Sequence, residues 1–263
     1  MPEAPAPQGP KDRLLVALDV ERLDEADALM ERLRGEVSGC KIGNQLFTAA
    51  GPVAIERALK RGFRVFLDLK YHDIPNTVAG AVREATRLGV FILNVHASGG
   101  RAMLQAAAEA ATKAAKQFAV ARPLVVGVTV LTSLDRRALD TELGVPGSVE
   151  AHVLRLAEHA RAAGLDGCVA SPREIGLLRN ALGRQWVIVT PGIRAGDESR
   201  GGGSEGHVGA PRSNDDQVRT ATPSAAIAAG ADYLVVGRPI TAAPDPVAAA
   251  RAIVAEIESA ARG

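Results

Sequence analysis

Cysteine is nearly missing from this chain. Cys40 and Cys168 are the two in 263 residues, too few and too isolated for a disulfide framework or a zinc site. Both stand in apolar, strand-like stretches and read as buried thiols in a reducing compartment. Aromatics are scarce too: one Trp, two Tyr and five Phe make up 3% of the residues, which leaves little to stack on bases. Neither sign of charge prevails, since 31 Lys and Arg face 30 Asp and Glu for a formal net charge of +1. A protein that binds nucleic acid by neutralising phosphates carries a basic excess, so that class is excluded. No apolar run approaches the roughly 18 residues of a membrane span, and the Pro-rich start MPEAPAPQGPKD has no basic-then-apolar signal. The expectation is a cytoplasmic protein with neither a nucleic-acid nor a membrane partner.

Lysine is the most informative scarcity. Only six of the 31 basic residues are lysines (Lys11, Lys41, Lys60, Lys70, Lys113 and Lys116), leaving 25 arginines. This sequence uses Arg wherever a generic positive charge suffices, so a Lys inside an apolar strand needs a reason.

With 47% apolar and 23% charged residues, the composition is that of a soluble globular protein. Short β-branched runs alternate with Ala/Leu/Arg-rich stretches of helical spacing, the pattern of parallel strands joined by crossover helices. Strands are expected at Leu14–Asp19, Val37–Ile42, Val65–Lys70, Ile92–His96, Leu124–Val130, Gly167–Ala170, Val187–Thr190 and Tyr233–Gly237. The clearest helices are Ala49–Arg61, Arg101–Lys116, Glu150–Ala163 and Pro246–Ala261. Ser171-Pro172-Arg173-Glu174 spells a capping box, and Thr222-Pro223 repeats the cap-plus-Pro signal. Eight β/α units in this length predict a closed (β/α)₈ TIM barrel, one domain over residues 13–263. Two segments break the rhythm. Residues 1–12 read as a disordered tail, and Ala195–Gln217 is far longer than the usual 2–6 residue βα loop, making it a lid or a neutral insertion.

The chemistry concentrates in Val65-Phe66-Leu67-Asp68-Leu69-Lys70-Tyr71-His72-Asp73. Strand alternation puts Phe66, Asp68 and Lys70 on one face, so a carboxylate and an ammonium emerge together at the strand's C-terminal end. They read either as a functional pair or as a simple buried ion pair. Strand two ends Cys40-Lys41-Ile42-Gly43 and strand one ends Leu18-Asp19-Val20. Barrel strands deliver their ends to one mouth, so Asp19, Lys41, Asp68 and Lys70, with Asp73 just beyond, are expected to interleave three negative and two positive groups. Pro191-Gly192-Ile193-Arg194 and Gly237-Arg238 each set a Gly and an Arg behind an apolar strand, suiting a phosphate. Thr129, Thr132 and Ser133 offer hydroxyls at the end of strand five. His72 and His96 are conceivable metal ligands, but the Lys70 ammonium opposes a dication beside Asp68, so no metal is expected.

These residues resemble the orotidine 5′-phosphate decarboxylase family. The similarity runs from Leu14 to Ile240 through ALDV, KIG, the ten-residue DLKYHDIPNT at 68–77, NVHASGG at 94–100, VTVLTS at 128–133, VTPGIR at 189–194 and VVGRPI at 235–240. The resemblance implies a cofactor-free decarboxylation of orotidine 5′-phosphate to uridine 5′-phosphate (UMP) by a homodimer of barrels. It implies that Lys70 delivers a proton to C6 and that Asp68 faces the substrate carboxylate. Lys41 and Asp19 bind the ribose end, and Asp73 and Thr77 reach across the dimer into the partner's site. Thr132 or Ser133 meets the pyrimidine, while Arg194, Gly237, Arg238 and a lid glutamine matching Gln217 hold the phosphate. Two alternatives stand beside it: a sugar-phosphate lyase or epimerase that reuses the Asp-x-Lys-x-x-Asp element, and a catalytically silent nucleotide-binding protein.

Overall fold

Eight short strands carry the architecture: β1 (Leu14–Ala17), β2 (Gly39–Gly43), β3 (Arg64–Tyr71), β4 (Ile92–His96), β5 (Leu124–Val128), β6 (Gly167–Val169), β7 (Val187–Thr190) and β8 (Tyr233–Val236). In the computed structural model, which describes residues 7–194 and 220–262, every neighbouring pair is parallel. β8 returns to β1, so the sheet closes into a barrel in chain order. This is the predicted (β/α)₈ fold, and each expected strand is present, Ile92–His96 and Val187–Thr190 with the expected ends and the other six with ends moved by one or two residues.

Alternation along the strands sorts the core into two layers. Leu15, Ala17, Phe66, Ile92, Val126, Val189, Tyr233 and Val235 fill the barrel. Leu14, Val16, Cys40, Ile42, Val65, Leu67, Leu93 and Val95 point outward under the helices. Lys41 and Asp68 share the inward parity of Phe66, which commits two charged side chains to the barrel interior. Both cysteines are free and buried, as expected, and burial pushes each thiol up to about 12.

The helices follow their local signals. Ser148 and Thr222 cap the helices Val149–Ala162 and Pro223–Ala229, and the capping box at Ser171–Glu174 forms with both reciprocal bonds. One helix differs from expectation. The run expected as continuous over Ala49–Arg61 is two helices, Asn44–Ala50 and Pro52–Lys60. Gly51 sits between them at φ +63°, and Pro52 has no N–H to continue the first helix. Within the stretch expected as a tail, Pro10–Arg13 forms a helical turn and Asp12 is tied to β3; residues 1–6 lie outside the described residues.

That tie belongs to the barrel floor, at the N-terminal ends of the strands. Arg64 Nη2 donates to Asp12 Oδ1 at 3.1 Å and to the Asp12 carbonyl at 3.0 Å. Its guanidinium lies 4.5 Å from the Phe91 ring centroid, and Phe91 meets Tyr233 edge-on at 5.7 Å. Two more pairs repeat the theme. Arg122 Nη1 donates to both Asp166 oxygens at 2.9 Å, and Asp166 also accepts the Val125 N–H at 2.7 Å. Arg179 Nη2 donates to Asp232 Oδ2 at 2.6 Å, where the Ile188 N–H also arrives at 2.7 Å. Asp166 and Asp232 each stitch the start of one strand to the start of its neighbour, and Asp12 ties the segment before β1 to the start of β3. Among the described residues, no helix is long and apolar enough to cross a membrane.

Candidate active site

At the opposite end, a cavity of about 450 Å³ opens among the C-terminal ends of the strands. Its polar lining is Asp19, Lys41, Asp68, Lys70, Thr132, Arg194, Arg238 and Thr241, and its apolar lining includes Ala17, Phe66, Val128, Val130, Val169, Ala170, Pro191 and Val235. Seven of the eight strands, or the residues just past them, contribute a side chain.

The charges form a chain. Lys41 Nζ donates to Asp19 Oδ1 at 2.8 Å and stands 3.3 Å from Asp68 Oδ2, while Lys70 Nζ donates to Asp68 Oδ1 at 2.7 Å. Lys41 is only 8% exposed and Asp68 only 9%, so the Lys41–Asp68 pair experiences little solvent screening, while Asp19 and Lys70 at the two ends of the chain meet solvent. Burial works to lower the Lys41 pKa, but the charges of Asp68 and Asp19 outweigh it and hold the ammonium above its ordinary range. Burial likewise works to raise Asp68, and Lys41, Lys70 and the hydrogen bonds from Lys70 and Asn94 hold it below the usual carboxylate range. The alternating order −, +, −, + sets each buried charge beside opposite ones, which favours the charged forms of Lys41 and Asp68. Gly43 makes room for it, because a Cβ there would lie 2.8 Å from Lys41 Nζ and 3.2 Å from Asp19 Oδ1.

Lys70 reaches the cavity by a route that strand alternation does not describe. Leu67 pairs with Leu93 and Tyr71 with Val95, so four steps along β3 span two along β4. Lys70 sits in this bulge with φ +52°, a left-handed conformation that costs a non-glycine residue about 1–3 kcal/mol. The bulge lifts its N–H out of the ladder, and the Asn94 side chain receives it at 2.8 Å. Asn94 then donates to Asp68 Oδ1 at 2.7 Å. Sequence reasoning singled out NVHASGG as a motif but passed over Asn94 itself. The available signal was a polar amide at an inward position of an otherwise apolar strand.

The phosphate-type elements also converge. Pro191, Gly192 and Arg194 follow β7 and Gly237 and Arg238 follow β8, all on the cavity. Gly192 takes φ +80°, and Arg194 is anchored where its N–H donates to the Ala221 carbonyl at 2.9 Å. Thr132 lines the cavity, whereas Ser133 is exposed and outside it. The Thr129 hydroxyl is turned aside, donating to the Val169 carbonyl at 2.9 Å.

Asp73 corrects the expected five-membered set. It and Thr77 are exposed and do not line the cavity of their own chain, and Asp73 Oδ1 accepts the N–H of Ile74 at 2.6 Å. Past the bulge the chain leaves the mouth, so nearness in sequence to Lys70 does not carry Asp73 into it. Gln217, with the Ala195–Gln217 insertion, lies outside the described residues. His72 and His96 stack at 5.3 Å, and burial first, then the charges of His72 and Lys70, lowers the His96 pKa. Among the described residues, no three His, Cys, Asp or Glu are grouped to hold a metal.

Comparison with known proteins agrees with this geometry. The family model described as "Orotidine 5'-phosphate decarboxylase / HUMPS family" matches residues 12–253. A protein of Moorella thermoacetica named orotidine 5′-phosphate decarboxylase is 55% identical over 248 residues, covering 94% of this chain and 93% of its own. A Halorhodospira halophila protein of the same name is 52% identical, covering 94% of this chain and 97% of its own. The crystal structure of orotidine 5′-phosphate decarboxylase from Lactobacillus acidophilus superposes with a TM-score of 0.78 at 34% identity, covering 94% of this chain and 99% of its own. A barrel whose mouth holds the Asp19–Lys41–Asp68–Lys70 chain, matched over nearly its whole length, belongs to the orotidine 5′-phosphate decarboxylase / HUMPS family.

Proposed function

We propose that this chain decarboxylates orotidine 5′-phosphate to UMP and carbon dioxide in pyrimidine biosynthesis, with no added cofactor, and that Lys70 is the acid. The single observation that carries this reading is the Asp19–Lys41–Asp68–Lys70 chain, which ends with an ammonium on the same cavity as Arg194 and Arg238. The names of the Moorella and Halorhodospira relatives support the same reaction.

Breaking the bond from C6 to the carboxylate leaves the electron pair in the ring plane, where no π system takes it up. Fixed charge must stabilise it. A carboxylate at about 4 Å from the substrate carboxylate repels it by roughly 4 kcal/mol at an effective dielectric of 20, while enzymatic accelerations require about 8–23 kcal/mol. Repulsion by Asp68 is therefore the smaller contribution. The Lys70 ammonium gains attraction as charge grows on C6, so it acts in the transition state. Its proton passes to C6, carbon dioxide departs, and the neutral amine regains a proton from solvent. Lys41 and Asp19 hold the ribose end, Thr132 the pyrimidine, and Arg194, Gly237, Arg238 and Gln217 the phosphate.

We assign the exposed Asp73 and Thr77 to the site of a second copy in a cytoplasmic homodimer. Mixing Lys70→Ala with Asp73→Ala subunits is expected to restore activity, because one site of the heterodimer then holds both native residues. No recovery after proven subunit exchange removes the shared site.

The reaction is tested by following the pyrimidine absorbance band of orotidine 5′-phosphate with purified protein and no metal or cofactor added. Loss of the substrate band is expected, and an unchanged spectrum sinks the reading. A sugar-phosphate lyase or epimerase on this barrel is the second reading. Lys41 disfavours it, since its ammonium is matched to Asp19 and Asp68 rather than leaving those carboxylates open to a divalent ion.

A further inference from the structure

Lys70 is one of two non-glycine residues with positive φ among those described, at +52°. The other, Ala119, ends a helix, where a left-handed residue is an ordinary cap. No such cap explains Lys70. Its conformation comes from the β3 bulge, and the bulge displaces a backbone N–H that must find a partner in a buried site.

Asn94 supplies that partner and is itself 0% exposed. Its two polar atoms do different work: Oδ1 accepts the Lys70 N–H at 2.8 Å, and Nδ2 donates to Asp68 Oδ1 at 2.7 Å. That same Asp68 oxygen accepts the Lys70 ammonium at 2.7 Å. One carboxamide thus holds both ends of the pair, the backbone of one residue and the carboxylate of the other. The roles of acceptor and donor are fixed, because the Lys70 N–H cannot accept and ionised Asp68 cannot donate. An apolar residue would leave both groups unsatisfied, and a carboxylate would satisfy Lys70 but repel Asp68. Among side chains of this size, an amide meets both demands.

We propose that Asn94 is a positioning residue for the decarboxylation: it clamps the β3 bulge and thereby fixes the Lys70 ammonium against Asp68 and toward the reacting carbon. This rests on the assignment of Lys70 as the acid. Asn94 has no part in holding the phosphate or ribose, so its loss acts on turnover and spares ground-state affinity.

The test compares the native protein with Asn94→Ala and Asn94→Asp, measuring turnover of orotidine 5′-phosphate, binding of UMP and thermal unfolding. For Asn94→Ala, kcat is expected to fall about 10- to 100-fold, with the Kd for UMP within about threefold of native. A kcat within twofold of native overturns the proposal, and so does a matching loss of UMP affinity, which marks a general structural role. Asn94→Asp serves even if the alanine variant does not fold. Its introduced carboxyl donates to Asp68 while protonated and repels it once ionised, so its kcat relative to native is expected to decline as pH rises. The titratable groups around it are Asp68, Lys70, Lys41, His72 and His96, and the native profile run in parallel removes their contribution. A ratio that stays flat with pH overturns the clamp. Failure of the native protein to turn over the substrate removes the Lys70 assignment and this proposal with it. Native turnover with an indifferent Asn94→Ala removes the proposal alone.

Discussion

Both ends of this barrel are lined with ion pairs, yet they are built from different cations. The floor uses arginine three times, in Arg64–Asp12, Arg122–Asp166 and Arg179–Asp232. The mouth uses lysine twice, in a continuous chain with Asp19 and Asp68. Arginine's planar fork donates in several fixed directions and does not give up a proton, which suits a residue that ties neighbouring strands together. Lysine is a compact charge that transfers a proton and can face a developing carbanion from one direction. The floor's charges are spent on backbone and on one partner each, whereas the mouth's remain on a cavity. A chain with 25 arginines and six lysines thus places two lysines in the one ion-pair chain where a proton must be given up, while the mouth's arginines, Arg194 and Arg238, stand at the ends of β7 and β8.

The largest expected effect breaks that contrast at its centre. Lys70→Ala is expected to lower kcat by more than about 10³-fold while leaving the unfolding temperature near native. Lys70→Arg sharpens it: charge is retained and proton delivery is lost, so steady-state turnover should stay almost as low. Recovery of most activity in the arginine variant would show that charge alone suffices.

Next in size, Asp68→Asn is expected to reduce kcat/KM by about 10²-fold and to change its pH dependence. Lys41 is held above its ordinary value of 10.5 chiefly by Asp68, against burial. Its folded pKa exceeds its unfolded one, so its contribution is full below that ordinary value and fades as pH rises through the folded pKa. Removing Asp68 brings that fall to lower pH, and the alkaline limb of the activity profile should shift down. Asp68 has the opposite sign. Its folded pKa lies below the ordinary 3.8, so its contribution to stability is present above that value and disappears as pH falls through the folded one. An alkaline limb identical in native and Asp68→Asn proteins removes the coupling.

Gly43→Ala is expected to raise KM about tenfold with a smaller change in kcat, since the added methyl meets Lys41 Nζ and Asp19 rather than Lys70. Steady-state kinetics separate the two. The smallest effect on activity belongs to the floor. Asp232→Ala leaves the Ile188 N–H without its acceptor and Arg179 without its carboxylate partner, costing about 1–3 kcal/mol in denaturant unfolding, with activity per folded molecule within twofold of native. A floor variant that loses turnover without losing stability would erase the distinction between the two ends.

Much of this was readable in the chain. β-Branched runs such as Ile92–His96 and Val187–Thr190 stand out because buried parallel strands are apolar on both faces; Asp68 was set beside Phe66 by parity, and Lys41 was brought to the mouth by its place at the end of strand two. Lys70 shares the cavity with Phe66 and Asp68 as strand alternation expected, but it gets there through a bulge that alternation does not foresee. Such a bulge is a compromise between two strands' ladders, and no local pattern in Leu67–Tyr71 announces it. Asn94 was missed for the same reason, since its value lies in what β3 does opposite it. Asp73 was grouped with the mouth by adjacency in sequence, and the turn after Tyr71 carries it out of its own cavity. Thr132 and Ser133 look equivalent as residues, but only the first meets the cavity wall. The floor pairs join residues 44 to 53 positions apart, with aspartates that resemble ordinary loop residues.

Period, parity and residue type therefore sufficed for the barrel, for its inward charges and for the end at which chemistry gathers, because these follow from local backbone geometry repeated eight times. The contacts between strands decided the rest: the left-handed Lys70, its amide clamp, the exposed Asp73, and the arginine–aspartate ties of the floor. Those depend on which groups remain unsatisfied after the sheet has closed, a condition that exists only in three dimensions.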